Sequence, residues 1–189
     1  MTEQSANERR QPYFSTFQLV LIALMAALVV VAKIALRFPI RLPGHSGIFW
    51  MAIVIVAAGI VPKRGSVALV GLISGVIAGF MGLGDFGALN TFLSYTAIGV
   101  VTDLFLMLMG SPENLIVSGL AATGGHLSKL VVKWVFGLVT GAPIGFVTLG
   151  LTYSALSYLL FGALGGLLGA LTLKALRKAG FFAYLAEKR

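Results

Sequence analysis

Six apolar stretches, each near the length a helix needs to cross a bilayer, follow one another with only short connections between them. They run over about 14–36, 46–61, 66–82, 88–109, 114–140 and 146–176. A hydrocarbon core of about 30 Å takes roughly 20 residues of helix. Lipid offers the backbone no hydrogen bonds, so a spanning segment must pair with itself as a helix or within a closed barrel. The stretches show no period-two alternation, which excludes the barrel. Only 11% of the 189 residues are charged and 58% are hydrophobic, whereas a soluble domain carries about a quarter charged residues. The expected fold is all-α: an integral membrane six-helix bundle over 14–176, a polar N-terminal tail over 1–13 and a basic C-terminal tail over 177–189.

Proline supports these limits independently. Pro12, Pro39, Pro43, Pro62, Pro112 and Pro143 all fall in the tail or between spans, where no helical hydrogen bond is lost. The first stretch exceeds the 7–15 apolar residues of a signal-peptide core and lacks a convincing cleavage site, so it is expected to be retained as a helix. Nine Lys and Arg residues, at 9–10, 63–64, 174–178 and 188–189, lie on one side of such a bundle, against Lys33, Arg37 and Arg41 on the other. Positively charged loops face the cytoplasm, which predicts both termini there and a multi-pass protein of the cell membrane. The same rule accounts for much of the net charge of +8.

Cysteine is absent, which removes disulfides, thiolate metal sites and thiol nucleophiles. Two histidines are too few for a histidine-rich metal site, and no cofactor is implied. No Ser/His/Asp spacing, no paired carboxylates within one span and no phosphate-cradling glycine loop appear, so an enzyme is not expected. Small residues fall in rows, Gly71, Gly75 and Gly79 in the third span and Gly162, Gly166 and Ala170 in the sixth. Such rows let helix backbones approach closely. Ala23 and Ala27 make a further small pair one turn apart in the first span.

A charge inside a bilayer costs roughly 2.5–3.5 kcal/mol even on lenient scales. The fifth span nevertheless carries His126, Lys129 and Lys133 in the run GGHLSKLVVKW. Offsets of three and four place them on one helical face, with Thr123 one turn earlier. Such a face is expected to line a cavity in the outer half of the bundle. Gly124 and Gly125, just before it, could loosen the helix and free carbonyls for a ligand. Asn90, Ser94 and Tyr95 of the fourth span could converge there, as could Arg37, Arg41 and His45 of the first connection. Asp103 sits deeper in its span and reads as a structural ion pair or a helix-end carboxylate. The outer half is then cationic, which suits a ligand with a carboxylate or phosphate.

The stretches LPGHSGIFWMAI (42–53) and IVPKRGSVALVGLISGVIAGFMG (60–82) resemble the second and third helices of the S components of energy-coupling factor (ECF) transporters. The resemblance covers most of the chain: six short-looped helices, both ends inside, about this length. It implies a membrane protein that captures a vitamin or related micronutrient, here an anionic one, for import. It also implies that Ala23 and Ala27 dock on a transmembrane coupling subunit, that two cytoplasmic ATPases power the cycle, and that the first connection caps a site near the outer face. Cobalt and nickel members begin Met-His, whereas this chain begins Met1-Thr2, so a metal ion is not the implied cargo. Two alternatives stay open on the residues alone, a self-sufficient carrier or channel and a small intramembrane enzyme.

Overall fold

The structure, a computed structural model, describes residues 12–35, 42–84, 86–148 and 151–183. Every regular element among them is a helix: α1 (Thr16–Ala35), α2 (Gly47–Ile60), α3 (Ser66–Phe80), α4 (Gly87–Met109), α5 (Leu115–Val139), α6 (Ile144–Thr148) and α7 (Leu151–Lys178). Four of these, α1, α4, α5 and α7, are long and apolar enough to cross a membrane, while α2 and α3 are apolar but have only 14 and 15 residues. Seven helices rather than six are found among the described residues: the stretch expected as one span over 146–176 holds both α6 and α7, and residues 149–150 between them lie outside the described residues. The five-residue α6 stands directly after Pro143, and α7 continues two residues beyond the expected limit.

Local chemistry sets the ends. Asn114 caps α5, its side-chain oxygen accepting from the Ile116 and Val117 N–H groups at 2.9 and 3.3 Å. Such a cap satisfies donors that the first helical turn leaves unpaired. Gly110 ends α4 at φ 110°, a conformation that costs a side-chain-bearing residue dearly. The Asp103 carboxyl group faces the Gly65 and Ala68 backbone N–H groups at the start of α3. A negative group there complements the positive end of the α3 dipole.

The helices pack through their small residues. The main pairings are α3 with α4, α5 with α7, α4 with α5 and α2 with α7. At Gly71 an added Cβ would lie 2.6 Å from the Tyr95 carbonyl oxygen and 2.7 Å from the Gly99 Cα. Two glycines thus bring α3 and α4 into backbone contact, and Gly75 and Gly79 continue the seam along Phe92 and Ala88. On α7 one glycine row serves each flank, with Gly162 and Gly166 against α5 and Gly165 and Gly169 against α2. The buried interior holds Ile22, Trp50, Met51, Ile55, Val67 and Ile98. Leu24, Leu108, Ile116, Val139, Leu156 and Leu160 point outward instead. An apolar exterior this extensive fits contact with lipid rather than water.

The bundle has two distinct ends. At one, Lys63 donates to the Tyr13 carbonyl at 2.5 Å and stacks its ammonium on the Tyr13 and Phe14 rings. Arg177 pairs there with Glu113 and lies 5.6 Å from the Phe182 ring centre. Both described ends of the chain therefore sit at the end built from the α2–α3 and α4–α5 connections. The other end gathers the close of α1, the start of α2, the α3–α4 connection and the later turns of α5.

Candidate functional site

A cavity of about 400 Å³ opens at this second end. Lys33 enters it from the last turn of α1, and His45 and Ser46 from the turn that leads into α2. Leu83 and Gly84 close one side from the α3–α4 connection. Asn90, Thr91, Ser94 and Tyr95 face it from the first three turns of α4, and Lys129 and Lys133 from α5. No acidic residue is among these described lining residues; Asp85, in the same connection as Gly84, lies outside the described residues.

Each ammonium is held at its own station. The Lys33 Nζ donates to the Ser46 hydroxyl at 3.1 Å. The Lys129 Nζ stands 5.3 Å from the Trp50 ring centre and 5.1 Å from that of Tyr95, and the Lys133 Nζ stands 6.0 Å from the Phe86 ring. A cation over an aromatic face gains about 0.5–2 kcal/mol, more where water is excluded. Trp50 and Tyr95 are 1% and 2% exposed, so Lys129 occupies the floor. Phe86 is partly exposed and packs on Phe136, so Lys133 occupies the mouth, one helical turn higher.

Beneath the floor runs an aromatic layer that joins four helices. Tyr95 lies 6.0 Å from Trp50, Trp50 meets the edge of His126 at 5.1 Å, and His126 stacks on Tyr158 at 4.3 Å. The His126 Nδ1–H donates to the Tyr158 carbonyl at 3.0 Å. Gly47 backs directly onto the His126 ring, and an added Cβ at Gly44 would lie 2.9 Å from the Tyr158 ring. The turn that carries His45 and Ser46 is thereby seated on this layer. The His45 Nδ1–H donates to the Leu42 carbonyl at 2.7 Å, leaving Nε2 as an acceptor in the neutral ring.

Six of the residues singled out from sequence meet at the cavity: His45, Asn90, Ser94, Tyr95, Lys129 and Lys133. Two do not reach it. His126 is 1% exposed below the floor, and Thr123 is turned to α7, where Gly162 packs on its Cα. Arg37 and Arg41 lie outside the described residues. Ala23 and Ala27 are exposed on the outer face of α1. The glycine pair does not interrupt α5, which is continuous from Leu115 to Val139. Gly125 admits Thr102 and Gly124 admits the Phe105 ring, and the Gly125 carbonyl accepts from Ser128 at 2.7 Å. Lys33, Ser46 and Thr91 line the cavity without having been singled out. Lys33 was open to the same argument as Lys129, being an ionisable residue within an apolar span. Asp103 belongs to the opposite end, where it lines a smaller cavity of about 190 Å³ beside Lys63 and Arg64.

Comparison with protein-family models, with curated proteins and with solved structures finds no match. The fold and the cavity together define an all-helical protein, with helices able to cross a membrane, built around a lysine-lined polar chamber.

Proposed function

We propose that the chain is the substrate-capture component of an importer of the ECF type, taking up a small anionic micronutrient such as a vitamin. The observation that carries this is the cavity, with three lysines and no acidic residue among its described lining residues. An anion entering it exchanges water for charge-assisted contacts in surroundings where these count for more. In this proposal α2 and α3 cross the cell membrane with the four longer helices, making six passes. Lys63, Arg64, Lys174, Arg177 and Lys178 cluster at the end opposite the cavity, and by the positive-inside rule that end and both termini face the cytoplasm. The cavity then opens outward. Ala23 and Ala27, exposed on α1, leave room for a coupling subunit to approach the helix backbone. Two cytoplasmic ATPases supply the energy, for which this chain has no sequence motif.

Mass spectrometry of small molecules retained by the detergent-solubilised protein tests this directly, and an organic anion is expected. Lys129→Met keeps the length of the side chain and removes its charge. A desolvated charge-assisted contact is worth about 2–5 kcal/mol, so affinity for the retained molecule should fall at least about thirtyfold. A retained cation, or unchanged affinity in the variant, argues against anion capture at this site. Uptake into liposomes by the chain alone would move the assignment to a self-sufficient carrier.

A further inference from the structure

Ligand pockets are as a rule lined mostly by apolar and aromatic side chains, with a few polar groups placed to orient the ligand. The chamber at the α1–α5 end inverts that pattern. Of its eleven described lining residues, only Leu83 and Gly84 bring no side-chain hydrogen-bonding group. The others carry ammonium, imidazole, amide or hydroxyl functions, and they come from α1, α4, α5 and the turn before α2 alike. Asn90 is 3% exposed, and neither its Oδ1 nor the His45 Nε2 has a hydrogen-bond partner among the described residues. A half-turn of the Asn90 amide exchanges its two ends, so this side chain can present a donor or an acceptor.

We infer that the ligand is a compact, hydrophilic organic anion bearing hydroxyl or amide groups along its body, with the chemistry of a sugar acid or hydroxy acid. This rests on the capture function proposed above and narrows its substrate class. An acid with a large apolar ring or chain would displace water from the chamber and return no hydrogen bonds to groups such as Asn90 and His45, which is unfavourable for every buried polar group. It would gain apolar contact chiefly from Leu83 and the Tyr95 ring. A hydroxylated body replaces the lost water group by group, while its acid lies against the ammonium groups. The volume of about 400 Å³ is near the lower limit for ligand pockets, which span about 300–1,000 Å³, and suits a small molecule.

Three probes matched in carbon number separate the contributions: gluconate, hexanoate and sorbitol. Binding is measured by calorimetry on the full chain in lipid nanodiscs after the retained molecule has been washed out. Gluconate should bind saturably and at least about tenfold tighter than either hexanoate or sorbitol, since a site built to bond hydroxyls discriminates strongly against an analogue lacking them. Asn90→Ala should weaken gluconate and leave hexanoate unchanged. Hexanoate binding as tightly as gluconate, or neither anion binding, overturns the hydrophilic assignment. A retained anion with a large apolar ring overturns this assignment alone and leaves capture standing. A protein that retains nothing and binds none of the three loses both.

Discussion

An imidazole enclosed by rings and backbone contributes by filling space. His126 has Trp50 at its edge, Tyr158 on its face and the Gly47 backbone against it. His126→Ala should leave a void and release the turn that bears His45 and Ser46. By analogy with large-to-small core changes the loss is roughly 2–4 kcal/mol, visible as a melting temperature several degrees lower in ligand-free protein. An unchanged melting curve would contradict this role. Lys129, three residues on, points into the chamber instead, and the reason is angular. At 3.6 residues per turn a step of three falls about 60° short of a full circle, so Thr123 and Lys129 lie about 120° apart. Lys129 and Lys133, four apart, differ by only about 40°. The face drawn through all four residues merged two faces, one toward α7 and one toward the cavity. That the fifth span carried a polar wall was legible from its charges. Which of its residues formed the wall depended on where α2 and α7 pack.

Helix limits were legible wherever proline or a cap fixes them. Those of α2 through α5 fall within two residues of the sequence-based limits, since Pro62, Pro112 and Asn114 act locally. The short α6, directly after Pro143, lies in an apolar run that continues into α7, and nothing in that run marks it as a separate element. The glycine rows showed that backbones would meet but not which ones. The α3–α4 seam yields a sharp contrast: Gly71→Val forces side-chain atoms into the Gly99 backbone and should abolish folding in detergent. Gly119→Ala, where an added Cβ meets nothing within 4 Å, should be neutral or gain up to about 1 kcal/mol from helix propensity. Fluorescence-detected size exclusion compares the two directly. On α1 the outward alanines serve as a separate test. Ala27→Trp should stop transport in cells that supply the coupling subunit and ATPases while leaving ligand affinity of the isolated chain intact. Joint loss of both would place Ala27 in an internal contact.

At the level of the whole molecule, the two ends differ in construction. One is tied by Arg177–Glu113 and by Lys63 with Tyr13, and the other surrounds the chamber. If the basic end faces the cytoplasm, reporter fusions within 141–145 and at Arg189 should respond from opposite sides of the membrane. The same response from both would refute the six-pass arrangement. One further property follows from the brevity of α2 and α3. At 1.5 Å per residue they measure about 21 and 22 Å, against a hydrocarbon core of about 30 Å. Leu72, Val76 and Phe80 of α3 point outward, so in the proposed six-pass arrangement this short helix would be a stretch of the rim that lipid meets. Acyl chains beside it have to shorten, or the bundle has to lean, each at a fraction of a kcal/mol per ångström. With six passes the protein would be a local thickness defect in its bilayer, and membranes of shorter-chained lipids should suit it best.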